Sequence, residues 1–311
     1  MNKVETTSTQ LIDNIGNNSR TTLWKELKAL LKVGIINSNV MTAFGGFWLA
    51  LYYTGNSIQD YWGKLLVTMI GTALVIGGAC VLNNYYDRDI DPKMNRTKTR
   101  PTVTGSISVS QVLLLGISLS VIGVVLLSFT SIQAALFGAL GWFAYFVLYT
   151  IWSKRRYTIN TAIGSISGAI PPIIGWAAVD PDLHIVALAL FLIMFIWQTP
   201  HFLALAMKKC EDYRSAGIPM LPAKYGFPVT KRQMVIYVAC LLPLPIYFHS
   251  LGIIFLIMAT LLNLTWLIIG LKGFFSKNDL KWANSMFGYS LLYLTIFFLA
   301  VIVITIPSVT S

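Results

Sequence analysis

The sequence predicts an all-α, polytopic membrane protein of nine spans, and three observations predict it. Hydrophobic residues make up 56% of the 311 and charged residues only 11%. With a mean hydropathy of +0.68, that balance excludes a soluble domain. Apolar runs long enough to cross about 30 Å of hydrocarbon recur along most of the chain. Finally, the basic residues fall in alternate connections between those runs.

The elements follow in order. Residues 1–27 are polar, with Thr, Ser and Asn crowding 1–20, and read as a disordered N-terminal tail before a transmembrane domain over 28–307. No cleavable signal peptide is visible, because the first apolar segment starts near Val33 and continues as a span. The spans are expected near 33–54, 62–84, 108–128, 131–151, 159–179, 183–206, 234–250, 251–271 and 283–305. Lys and Arg gather at 20–32, 88–100, 154–156, 208–232 and 272–281, whereas the intervening connections hold Asp60, Asp180 and Asp182. Lys64 is the one basic residue near that second side. The asymmetry predicts a cytoplasmic N-terminus and an outside C-terminus. It also explains the net charge of +11 without nucleic acid, which would need its basic residues on one water-facing domain. The cysteines Cys80, Cys210 and Cys240 form no CxxC or disulfide pattern, and Cys80 and Cys240 read as buried thiols.

The most informative stretch closes the second span: Asn83-Asn84-Tyr85-Tyr86-Asp87-Arg88-Asp89-Ile90-Asp91, then Pro92. Asn83, Asp87 and Asp91 are four apart, so a helix carries them on one stripe. Pro92 predicts that the helix ends there. Carboxylates at a helix C-terminus meet the negative end of the dipole, so a positive partner is required. Mg²⁺ prefers such oxygen donors and usually combines a few carboxylates with substrate phosphates. Arg96, Lys98 and Arg100 are placed to hold phosphate oxygens. A solvated, charge-mixed loop is the plainer alternative.

A second cluster, Lys208-Lys209-Cys210-Glu211-Asp212-Tyr213-Arg214, follows span six on the same side. The two acidic turns can therefore face each other, although a surface ion pair between Lys208 and Asp212 is the simpler reading. The connection after span four adds Tyr149, Lys154, Arg155 and Arg156. Lys154 and Arg155 are candidates for the diphosphate, and Arg156 for topology alone. Span six carries Trp197-Gln198-Thr199-Pro200-His201-Phe202, a proline kink with polar groups at membrane depth. His201 either contacts an acceptor substrate or satisfies carbonyls freed by the kink. His184 and His249 read as interfacial. Gly164, Gly168 and Gly175, with Pro171 and Pro172, read as close helix packing around a kink.

These residues also carry a family resemblance. Asn83-x-x-x-Asp87-x-x-x-Asp91 with Arg96-Thr97-x-x-Arg100-Pro101 resembles the first aspartate-rich motif of the UbiA-type intramembrane prenyltransferases. The second motif of that superfamily has two aspartates four apart, but here Ala216 stands four after Asp212. The blocks 197–206 and 212–222 resemble the protohaem IX farnesyltransferase (haem O synthase) branch, and the likeness covers about residues 30–305. It implies nine helices around a central cavity, farnesyl diphosphate as donor, haem b as acceptor, and haem O and diphosphate as products. By position it implies that Asn83, Asp87 and Asp91 hold Mg²⁺, and that Asp212, helped by Glu211, completes the metal site. Arg96, Arg100, Lys154 and Lys208 would neutralise the departing diphosphate. Tyr85, Tyr86, Tyr145, Tyr149 and Tyr213 offer aromatic faces to an allylic cation. A lipid-embedded enzyme of the cell membrane facing the cytoplasm is implied, with a haem A synthase or terminal oxidase as downstream partner. Three rivals stand beside it: a prenyltransferase acting on an aromatic quinone precursor, a transporter, and a non-catalytic haem-binding assembly factor.

Overall fold

The computed structural model describes residues 24–310. The expected tail over 1–27 lies mostly outside the described residues, and its last four join a short helix over 24–31. That helix is anchored by the fully buried Leu30, whose carbonyl accepts a 2.8 Å bond from the Asn84 side chain. Lys32 then takes a left-handed conformation, φ 54°. This is an uncommon state for a side chain with a Cβ, and it swings the chain into the first spanning helix.

Among the described residues nine helices are long and apolar enough to cross a membrane. They are α1 (Val33–Thr54), α2 (Ile58–Asp89), α3 (Val109–Ser128), α4 (Ile132–Ser153), α5 (Asn160–Val179), α6 (Ile185–Lys208), α7 (Leu221–Leu251), α8 (Ile253–Phe275) and α9 (Asp279–Thr310). The expected count therefore holds, and the ends differ where polarity hid them. The largest difference is α7, which starts thirteen residues before the expected 234. Pro222 sits at its first turn, where a missing N–H costs nothing. Gly226 (φ 79°) and Pro228 then kink it, and Lys224, Lys231 and Arg232 interrupt the apolar pattern.

Local chemistry sets the other starts. The Ser108 side chain accepts from the Gln111 N–H while Gln111 reaches back to the Ser108 N–H, a reciprocal cap. Ser131 caps α4 at 2.9 Å, and the His184 ring caps α6 at 3.3 Å. Gly55, at φ 68°, closes α1.

Small residues bring helices together. A Cβ on Gly175 would lie 1.9 Å from the Ala43 carbonyl oxygen, and one on Gly46 would lie 2.0 Å from that of Pro172. The α1 and α5 backbones thus meet without side chains between them, as membrane helices do where dispersion has to hold them. The Pro171–Pro172 pair breaks α5 into Asn160–Ala169 and Pro171–Val179. Leu114, Ile117 and Val121 stay exposed on the outer side of α3, the surface expected to meet lipid.

Of the thiols, Cys80 and Cys210 are buried, whereas Cys240, expected to be buried, is exposed. It lies one turn after the exposed Ile236, on the outward stripe of α7.

Candidate functional site

The helices enclose a cavity of about 470 Å³ whose lining runs from Lys32, Asn83, Arg96, Arg100 and Lys154 to Met194, Trp197 and His201. One end is cationic. The deeper wall is mostly apolar and aromatic.

The acidic stripe forms in part: the α-helix stops five residues before the expected end at Asp91, which lies in a separate 3₁₀ turn. The α-helical part of α2 ends at Tyr86, and Asp87 caps it with its N–H on the Asn83 carbonyl. Two short 3₁₀ turns, Asp87–Asp89 and Asp91–Lys93, carry the chain past Pro92. Asn83, Asp87 and Asp91 are all buried. The positive partners required at a helix C-terminus are present. Lys154 Nζ bonds Asp87 Oδ2, Arg155 lies 3.5 Å from Asp87 Oδ1, and Arg100 reaches Asp91 Oδ2 at 2.8 Å. Asn83 Nδ2 donates to Asp87 Oδ2 at 2.8 Å and to Thr150 at 3.0 Å. The second acceptor atom of Asp91, Oδ1, is buried with no hydrogen-bond partner among the described residues.

Lys32 is the residue that sequence reasoning missed. Its ammonium bonds Asn83 Oδ1 and lies 3.4 Å from the Tyr145 hydroxyl. Burial pulls its pKa down to about 8, with Arg100 and Lys154 adding to the pull. In the sequence it ends a basic run that topology alone explains. Only the left-handed turn aims it inward.

The end of α4 is a π-helix over Ala144–Ser153. Its i→i−5 bonding continues into the Lys154 N–H, which reaches the Tyr149 carbonyl at 2.8 Å. Tyr145 and Lys154 are nine residues apart, about two and a half α-helical turns, so an α-helix would put them on opposite faces. The wider winding brings both to the cavity, where Tyr145 stacks on Tyr149 at 5.7 Å. π segments occur most often at functional sites.

The second acidic turn does face the first. Asp212 accepts from the Asn95 N–H at 3.4 Å, Ser215 donates to the Lys93 carbonyl at 2.8 Å, and Arg96 lies over the Tyr213 ring at 5.3 Å. Tyr213 lines the cavity, and burial raises its phenol pKa. Lys208 makes no ion pair with Asp212; its ammonium sits 4.4 Å from the Phe287 ring centre. Glu211 is not brought in. It is highly exposed and pairs with Arg214 at 2.6 Å, because residues three apart on this short helix share its outer face. Arg155 clamps the exposed Asp89 through two 2.7 Å bonds and also binds the Tyr86 carbonyl. It braces the acidic turn from outside the cavity.

Deeper in, His201 is sandwiched between Trp197 at 4.9 Å and Phe287 at 4.7 Å. Its Nδ1 lies 2.6 Å from Ser290 Oγ. Gly164 admits the Tyr149 ring, and Gly168 admits the Gln198 amide. His184 and His249 line a separate small pocket with Tyr53, away from the acids.

The donor set suits Mg²⁺. The acids offer hard oxygen atoms, and Asp91 Oδ1 is a buried acceptor in need of a positive partner. Among the described residues no three of His, Cys, Asp or Glu converge on one ion position. An ion held here would need phosphate and water to complete its shell, which is how Mg²⁺ is usually held.

Comparison with known proteins agrees with this architecture. A protein of Oceanobacillus iheyensis named protoheme IX farnesyltransferase is 57% identical over 99% of both chains. Protoheme IX farnesyltransferase 2 of Bacillus subtilis is 56% identical over 94% of this chain and 95% of its own. Two solved structures share the fold. A digeranylgeranylglyceryl phosphate synthase superposes with TM-score 0.70 at 21% identity, over 91% of this chain and 99% of that one. A UbiA homolog from Archaeoglobus fulgidus, bound to DMAPP and Mg²⁺, gives 0.66 at 15% identity, over 90% and 99%. The UbiA prenyltransferase family itself matches residues 39–302, and the chain belongs to that family.

Proposed function

We infer that the protein transfers the farnesyl group of farnesyl diphosphate to a vinyl group of haem b, giving haem O and diphosphate. The observation that carries this reading is the polarity of one cavity. Lys32, Arg96, Arg100 and Lys154 line its cationic end, with Asp87 and Asp91 buried behind Lys154 and Arg100, and aromatic side chains with His201 form its depth. The acceptor is the one named by relatives more than half identical along nearly the whole chain.

Asn83, Asp87 and Asp91 would hold Mg²⁺, with Asp212 contributing from the opposite turn. The ion supplies positive charge to the departing diphosphate. Around it, Lys32, Arg96, Arg100 and Lys154 hold phosphate oxygens at the point where negative charge grows. Tyr145, Tyr149 and Tyr213 present rings beside that point, where they stabilise allylic cationic character and exclude water. Trp197, His201 and Phe287 form a flat aromatic wall suited to a porphyrin. The nine-helix bundle acts in the cell membrane, with the N-terminus and the cationic end of the cavity toward the cytoplasm, as the alternation of basic connections argues. Product would pass to a haem A synthase or a terminal oxidase.

The test is to incubate membranes containing the protein with haem b, farnesyl diphosphate and Mg²⁺, and to analyse extracted haems by mass spectrometry. Hydroxyethylfarnesyl haem is expected, and its loss on chelation establishes metal dependence. Donor consumption only with an aromatic quinone precursor would replace the acceptor.

A further inference from the structure

The reaction proposed above ends in a hydration, and one polar group in the cavity has no other work. The Gln198 side chain makes no hydrogen bond to any described residue, and its Oε1 is buried without a partner although the residue lines the cavity. It is 8% exposed, and an unpaired amide at that depth carries a desolvation cost. One helix turn on, His201 lines the same cavity. Its tautomer follows from its neighbours. Ser290 Oγ donates its one proton to the Phe287 carbonyl at 2.6 Å, so it accepts from His201 Nδ1 at 2.6 Å. A neutral ring protonated at Nδ1 carries its lone pair on Nε2.

The depth is also fixed. Gly164 packs against Tyr149 and Gly168 against Gln198. The two glycines are four residues apart on α5, so the amide lies about 6 Å deeper than the tyrosine ring. That is a few bonds beyond the diphosphate end.

We propose that Gln198 and His201 hold the water that becomes the hydroxyl of the product, an inference that rests on the haem farnesylation reading. The C1–oxygen bond of farnesyl diphosphate breaks, and the electron pair leaves with the diphosphate. The terminal vinyl carbon of haem b bonds to C1, and positive charge passes to the inner vinyl carbon beside the porphyrin. Water oxygen adds there while one of its protons goes to His201 Nε2. The Gln198 carbonyl oxygen accepts the other hydrogen bond, reached by a half-turn of the amide about its last bond. Donor, vinyl haem and water thus give hydroxylated farnesyl haem, diphosphate and one proton. Without a held water the same cation loses a proton from the adjacent CH₂ and gives an alkene one water lighter.

The readout is the ratio of hydroxylated to dehydrated farnesyl haem, measured by mass spectrometry on detergent-solubilised full-length protein. Gln198→Leu and His201→Asn, the latter keeping a donor to Ser290, are expected to shift the ratio toward the lighter product by about tenfold or more. Gly168→Ala keeps the glutamine but sets a methyl 2.1 Å from its Nε2, which displaces the amide, so it should shift the ratio the same way and decides the matter if Gln198→Leu fails to fold. Variants that lose rate yet still make only hydroxylated product would overturn the assignment, since loss of structure lowers turnover without changing this partition. No farnesylated haem of either mass from the wild type would overturn the reading of the acceptor instead.

Discussion

Arg100 Nη1 lies 2.8 Å from Asp91 Oδ2, while the other oxygen of the same buried carboxylate has no hydrogen-bond partner among the described residues. Half of that carboxylate is committed to holding the loop after α2 against the helix end, and the other half is the oxygen offered to Mg²⁺ in the proposed function. Asp91→Asn keeps the shape and removes the charge. Diphosphate release should fall by about two to three orders of magnitude, with folding preserved. Raised Mg²⁺ should restore part of the rate, checked by titrating the metal against release.

Lys154, at the C-terminal cap of α4, and Asp87, at the end of α2, are a buried pair. Removing one member strands the other, which costs about 3 kcal/mol or more, whereas replacing both is often tolerated. Lys154→Met should therefore lower the unfolding temperature of the detergent-solubilised protein. The double variant with Asp87→Asn should recover most of it and remain inactive. Recovery of stability without activity separates the two roles of this pair.

Lys32 gives a pH signature. Its conjugate acid is weakened by burial to about 8, so the ammonium is present below that pH and lost above it. The kcat/KM for the diphosphate donor should bend downward near pH 8, and Lys32→Arg should remove the bend. Stability should move the other way. Between about pH 8 and 10.5 the unfolded chain binds more protons at this site than the folded one, so this lysine's contribution makes the fold more stable as pH rises. Opposite slopes in the two measurements identify this one group.

Gly175→Ala would place a methyl 1.9 Å from the Ala43 carbonyl oxygen. Prying α1 from α5 should cost about 1–3 kcal/mol, read as a lower unfolding midpoint. Gly63→Ala and Gly288→Ala, with nothing within 4 Å, should leave the midpoint unchanged.

The legible parts of this protein are those that repeat. Nine apolar runs recur along the chain and are realised as nine spanning helices among the described residues; of the Asn83–Asp87–Asp91 stripe, Asp91 falls past the helix in a separate 3₁₀ turn. What stayed hidden depends on winding and on turns. Nothing in the Ala144–Ser153 stretch announces a π-helix, because no glycine or proline punctuates it. The inward aim of Lys32 follows from one left-handed residue that composition does not demand. The early start of α7 was obscured because three basic residues broke its hydropathy, although Lys231 is buried there, bonded to Asp279 and to the Gly273 carbonyl. Glu211, beside Asp212 in sequence, points out of the site because adjacent helical positions face different ways.

The π segment also bears on how this chain tolerates change in length. Each of its turns holds a residue more than an α turn would close around. A single deletion between 144 and 153 would let the hydrogen bonds shorten into the commoner register and would satisfy the local backbone well. It would also rotate everything downstream, carrying Lys154 away from Asp87 and Arg155 away from Asp89. Insertions and deletions earlier in α4 also turn the downstream residues, by about 100° each, but leave the π winding intact. Within these ten residues they decide whether Asp87 keeps its counter-charges from Lys154 and Arg155.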